Sequence, residues 1–149
     1  MLLILGLWPG VSSTQPILRV IDGDTLELSG EMIRLHGIDA PERDQTCERD
    51  GTAWACAQGA TAALVRLTHG DDLRCVGTKR DRYRRRIAVC WQGEVEVNRA
   101  LVAQGWAMAY RRYSTDYVAD ERRAEMAGLG IWSGNLRAPW QHRAAKRRK

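Results

Sequence analysis

Apolar and polar positions alternate with a period of two in ILRVI (17–21), TLELS (25–29) and MIRLHGI (32–38), which predicts three β-strands. Ser29, Gly30 and Glu31 supply a tight connection between the last two. The pleat of the third strand sends Ile33 and Leu35 to one face and Arg34 and His36 to the other. The period then changes. WACAQGATAALVRLT (54–68) brings Trp54, Ala57, Leu64 and Leu67 round at helical spacing, with Gly70 placed to cap the end. DLRCVG (72–77) and RRIAVCW (85–91) read as two more strands around a basic turn. EVNRALVAQGWAMAY (96–110) predicts a second helix with Val97, Ala100 and Leu101 inward, and DYVADERRAEMAGLG (116–130) a third. Five short strands, with one helix after the third and others at the end, predict an α+β, mainly β fold: a five-stranded Greek-key barrel of the OB type with about three helices.

A chain of 149 residues is one domain's worth and long enough to bury a core. Residues 16–136 are expected to form that domain. Before it, MLLILGLWPGVSSTQ (1–15) opens on an apolar run too short to span a bilayer. Small residues at Val11, Ser12 and Ser13 follow it, so it reads as the end of an export signal; the alternative is an apolar segment packed on the core. After the domain, 137–149 reads as a flexible basic tail.

Charge adds a contrast. The chain has 23 Lys/Arg and 18 Asp/Glu, but the tail RAPWQHRAAKRRK holds six of the basic residues and no acid, so the body is near neutral. Within the body, KRDRYRRR (79–86) concentrates six basic residues in the predicted turn. An acidic centre and a basic loop on one small domain suit a metal-dependent enzyme acting on phosphates, although a charge run is equally often a solvated hairpin tip. The four cysteines, Cys47, Cys56, Cys75 and Cys90, contain no CxxC pair, which fits disulfides better than zinc. Of three possible pairings, local geometry favours Cys47–Cys56 and Cys75–Cys90, because the latter two flank the basic turn. Four reduced thiols are the alternative. Disulfides and an export signal together predict a secreted or periplasmic protein with no membrane span once mature.

The stretch VIDGDTLELSGEMIRLHGIDAPE (20–42) holds Asp22, Asp24, Asp39 and Glu42 around a single basic residue, Arg34. Clustered carboxylates repel, and a cation would hold them together. Calcium suits such a site, since it takes carboxylates, backbone carbonyls and waters. Asp22 is more simply the first residue of a turn.

The chain resembles the staphylococcal (micrococcal) nuclease-like, or thermonuclease, family in IDGDT (21–25), IRLHGIDAPE (33–42), DRYRRR (81–86), VNRALVAQGWA (97–107) and GLGIWSG (128–134). The pieces occur in order over roughly residues 16–134. The resemblance implies a Ca²⁺-dependent endonuclease on an OB-fold barrel, hydrolysing phosphodiester bonds of DNA and RNA and leaving 3′-phosphate ends. It implies that Asp24, Asp39 and the backbone carbonyl of Ala40 hold the metal, the family having Thr at the last position. Arg34 and Arg85 would bind the phosphate, and Glu42 would orient or deprotonate the attacking water. Tyr83, and Tyr110 less directly, would contact the nucleotide. The family's basic turn has glycine where this chain has Arg84, which leaves the register of Arg84, Arg85 and Arg86 open. No protein partner is implied, and a monomer is expected. The competing reading is an OB-fold module that binds nucleic acid or protein without catalysis.

Overall fold

Each run of period two becomes a strand in the computed structural model, which describes residues 15–149. The export-signal reading falls on residues outside that range. β1 (Leu18–Asp22), β2 (Thr25–Leu28) and β3 (Glu31–Leu35) form an antiparallel meander. Short strands β4 (Ile38–Asp39), β5 (Cys47–Arg49) and β6 (Thr52–Trp54) follow, then helix α1 (Cys56–Leu67). β7 (Leu73–Val76) and β8 (Arg86–Gln92) are the strands around the basic turn. β9 (Val95–Glu96) leads into α2 (Val97–Ala103), β10 (Met108–Ala109) and α3 (Val118–Met126). A 3-10 turn at Gly130–Ser133 precedes a last helix, α4 (Pro139–Arg147).

The main ladder runs β1-β2-β3-β8-β7. β3 and β8 are parallel, with Arg34 opposite Ile87, and this brings the basic turn beside the acidic stretch. β4 pairs with β10, setting Asp39 opposite Met108. The predicted class, α+β and mainly β, is the observed one. Among the described residues β1 and β7 do not pair, so the ladder is open on that side.

The faces expected of β3 are found. Ile33 and Leu35 are buried with Leu26, Ile38, Leu64, Val97, Leu101 and Val102, while Arg34 stays at the cleft side. Fully burying an aliphatic side chain of this size is worth about 1.5–3 kcal/mol, so this layer is the main support beneath the site. Asn98 is a polar side chain buried beside this layer. Asn98 accepts a hydrogen bond from the Cys90 backbone N–H (3.0 Å) and donates to the carbonyls of His36 (3.0 Å) and Ala88 (3.2 Å). It pins α2 to β8 and to the turn after β3, and its polar atoms are paired as burial requires. Both favoured disulfides are present, Cys47–Cys56 and Cys75–Cys90, the second joining direct partners of the β7–β8 ladder.

Four expectations change. The second helix, expected over 96–110, ends at Ala103, and Met108 and Ala109 pair with β4 as a strand instead. Trp54 closes β6, and α1 begins at Cys56, so its buried face is made by Cys56, Ala57, Ala60, Ala63 and Leu64. Ala100 is only half-buried, and Asn98 and Val102 are the inward residues of α2 beside Val97 and Leu101. The stretch expected as a flexible tail is α4, which makes four helices among the described residues. Its proline sits in the first turn, where a missing N–H costs nothing, and Lys146 and Arg147 in the last turn complement the negative end of the helix dipole. Buried Ala138, with Trp140 packed beside it, fixes the helix start against Cys47, Cys56, Met108 and Ile131.

Candidate nuclease site

Asp24 follows the β1–β2 turn, which needs glycine for a steric reason: a Cβ at Gly23 would lie 2.7 Å from the Cβ atoms of both Ala40 and Ala60. This close approach lets the Asp24 carboxylate reach the Asp39 segment. Asp24 Oδ2 accepts the Ala40 backbone N–H (2.8 Å), and Oδ1 accepts the Thr25 hydroxyl (3.1 Å). Asp22 accepts the Asp24 N–H (3.1 Å), the turn role its position suggested.

Arg34 then gathers the acids. One terminal nitrogen donates to the carbonyls of Leu35 (2.7 Å) and Ile38 (2.9 Å). The other donates to Asp39 Oδ1 (3.2 Å) and lies 3.4 Å from Asp24 Oδ2. The backbone at both ends of the β3–β4 turn thus fixes the guanidinium, and the guanidinium fixes two carboxylates. Burial pushes the Asp39 carboxyl up to about 6 despite the pull of Arg143 and Arg34, and Asp24 adds to the rise. Asp22 is likewise pushed up to about 6, first by burial and then by the charge of Asp24.

The basic turn is shaped by Asp81. Its carboxylate accepts the backbone N–H groups of Tyr83 (2.9 Å) and Arg85 (3.0 Å) and the Arg85 Nε–H (2.7 Å). Arg84 has φ +65°, the left-handed conformation that glycine adopts at least cost. The three arginines diverge from there. Arg85 lines the cleft, with a terminal nitrogen 3.4 Å from the Thr25 hydroxyl that itself bonds Asp24. Arg86 turns away to Glu31 (3.0 Å) and the carbonyls of Cys75 and Gly77. Arg84 does not line the cleft.

The cleft is open and about 1470 Å³ in volume; its lining includes Asp24, Arg34, Asp39, Glu42, Tyr83, Arg85 and Tyr110. Tyr83 is exposed at its rim, with the Arg85 guanidinium 5.5 Å from its ring. Tyr110 stacks on Trp140 of α4, with ring centroids 5.4 Å apart and planes 3° from parallel. The side chains singled out in sequence therefore share one cleft. Arg143 was missed as a member of the site. It donates to both oxygens of Asp39 (3.0 and 2.8 Å) and to Glu42 Oε1 (2.6 Å). The proline-led start of α4 was a readable helix signal, but nothing local pointed it at Asp39.

The donor set can be tested for calcium. Among the described residues no three His, Cys, Asp or Glu side chains form a ready cage. Two carboxylates drawn to one guanidinium, beside a backbone carbonyl at Ala40, are hard oxygen donors all the same. With waters completing the shell they suit calcium and would not suit a soft metal.

Comparison with known proteins bears on the class of enzyme rather than on the metal. The family model described as staphylococcal nuclease homologue matches residues 32–134. A succinoglycan biosynthesis protein, ExoI, of Rhizobium meliloti is 34% identical, the match covering 91% of this chain and 72% of the relative. An uncharacterized endonuclease of Haemophilus influenzae is 32% identical, over 83% of this chain and 68% of the relative. A micrococcal nuclease of Shigella flexneri is 30% identical, over 88% and 80% respectively. The fold and cleft define a phosphodiester-hydrolysing nuclease. The chain belongs to the staphylococcal nuclease family, whose barrel is the OB-fold. Its substrates are nucleic acids, and the reading as a module without catalysis is set aside.

Proposed function

We propose that this enzyme is a calcium-dependent endonuclease cutting DNA and RNA to leave 3′-phosphate ends. The observation that carries the reading is the meeting of Asp24 and Asp39 at the Arg34 guanidinium, on the wall of a cleft that Glu42 and Arg85 also line. Asp24, Asp39 and the Ala40 carbonyl would hold the calcium, which when bound would supply Lewis-acid polarisation of the phosphoryl oxygens.

The remaining work falls to side chains of this chain. Glu42 would orient the attacking water and receive its proton. Arg34 spends its terminal donors inside the protein, so its first duty is to keep the two aspartates together, with Nε left for a phosphate oxygen. Arg85 is differently placed. Asp81 takes its Nε, and the forked end, held only by a long 3.4 Å contact to the Thr25 hydroxyl, is aimed at the charge gathering on the phosphoryl group. Tyr83 at the rim and Tyr110 deeper in the cleft would contact the nucleotide on either side of the scissile bond.

No described helix is long and apolar enough to cross a membrane. The two disulfides support a secreted or periplasmic location, where such bonds persist. The nuclease is proposed to act as a monomer, with residues 16–136 supplying the proposed catalytic and metal-holding side chains and α4 completing the cleft wall.

The test is cleavage of supercoiled DNA and of a single-stranded RNA, with Ca²⁺ and with a chelator, using the wild type and Asp39→Asn. Cleavage that needs Ca²⁺, fails in Asp39→Asn and yields products open to 3′-phosphatase is expected. Full activity in chelator, or in folded Asp39→Asn, would overturn the metal assignment.

A further inference from the structure

Asp39 has a side chain only 1% exposed, and Arg143 lies on it edge to edge, one terminal nitrogen to each oxygen. The same guanidinium holds Glu42. Asp39 Oδ1 also receives Arg34, so three of its roughly four lone-pair positions are taken. A buried carboxylate filled in this way has little capacity for a divalent ion until a donor leaves. Arg34 is fixed by two backbone carbonyls and cannot leave cheaply. Arg143 can. Its side chain is 31% exposed and sits on a long, flexible stem from a helix whose first turn alone is buried in the core. The Trp140 stack on Tyr110 adds to that first turn, and further along α4 is held by His142 and Lys146 on the exposed Asp44, the Lys146 pair being one that salt screens.

We infer that Arg143 is a built-in competitor of the metal. Its guanidinium neutralises Asp39 and Glu42 in the metal-free enzyme and must be displaced from Asp39 as calcium binds, so α4 sets the calcium concentration at which the site fills. The physical reason is charge. A guanidinium and a divalent cation cannot share two oxygens of one carboxylate at contact distance without strong repulsion in a partly buried site. Displacement frees Glu42 in the same event, so the residue proposed to orient the water becomes available when the metal arrives. The inference rests on the reading of Asp24 and Asp39 as calcium ligands.

The experiment is calorimetric titration of Ca²⁺ into the full chain and its variants, with thermal melting at each calcium concentration as a second readout. Arg143→Gln is expected to bind Ca²⁺ at least about tenfold more tightly than wild type. Its melting temperature should be lower without calcium and rise more steeply with it. Arg143→Lys, a point charge that cannot span both oxygens, should fall between the two, and it carries the test if Arg143→Gln does not fold without metal. Arg147→Gln removes a positive charge from the same cleft wall that bonds neither Asp39 nor Asp44, and should shift the affinity by less than about twofold. Equal or weaker binding in folded Arg143→Gln overturns the competition while leaving the calcium site standing. An equal gain in Arg147→Gln overturns it too, since general charge would then explain the effect. Absence of Ca²⁺ binding in wild type and Arg143→Gln alike would remove the calcium reading itself, and the competition with it.

Discussion

Replacing Arg85 by alanine separates the three consecutive arginines of the basic turn most sharply. Arg85 enters the cleft, and Asp81 holds its Nε at 2.7 Å, which aims the forked end before substrate arrives. Removing one donor prepared in this way costs about 2.7–4 kcal/mol in the transition state, or roughly a hundred- to thousandfold in kcat. The side chain is 27% exposed, and solvent screening argues for the lower end of that range. The fold should hardly notice. Asp81 keeps the backbone N–H of Tyr83, and a partly exposed ion pair is worth at most about 1 kcal/mol. Arg85→Lys should recover part of kcat, since it restores charge without the fork. At Arg84 the prediction has the opposite sign. A left-handed non-glycine residue costs about 1–2 kcal/mol, and glycine's extra chain entropy returns about 0.5–1 of that. Arg84→Gly should therefore stabilise by about 0.5–1 kcal/mol, a rise of roughly 1–4 °C in Tm for a domain of this size. Its kcat should be unchanged. Arg86→Ala should lower Tm and leave kcat near wild type, because it breaks the tie of β8 to Glu31 and to the β7 carbonyls. The assay is steady-state cleavage of a defined oligonucleotide at saturating Ca²⁺, with thermal melts on each variant. If Arg84→Ala were the crippling change and Arg85→Ala the mild one, the reasoning on this turn would be wrong.

Two further substitutions probe what supports the site. Asn98→Leu leaves the Cys90 N–H and two carbonyls without their side-chain partner, so unfolding in urea should show a loss of about 2–4 kcal/mol; a loss under 1 would mean that the neighbours re-pair without it. Gly23→Ala places a methyl 2.7 Å from two Cβ atoms carried on backbone, a crowding that overpacked cores relieve only by shifts costing about 1–3 kcal/mol. Because one of those neighbours is Ala40, that variant should also weaken Ca²⁺ binding, and unchanged calorimetry would separate the packing of the turn from the site.

Local features of the sequence carried most of the barrel. Period two in 17–38 and helical spacing in 54–68 follow from the pleat and turn of single elements, and the structure keeps them with shifts of a residue or two. Side chains whose partners lie far along the chain behaved differently. Asn98 in a helix of apolar spacing gives no hint that its amide is buried, because its partners come from β8 and from the turn after β3. Arg143 is the sharper case. It lies 104 residues from Asp39, in a run whose composition reads as a solvated basic tail. The acids of 20–42 and the basic tail each read as though directed at something outside the chain, one at a metal and the other at phosphates. Folding brings them together, so each is the other's first partner. Arg34 gathers the acids from within their own segment, and Arg143 crosses from α4 to cover the most buried of them. A site with more carboxylates than nearby fixed cations can be kept folded without metal by one mobile guanidinium, and the same mobility lets a divalent ion take its place.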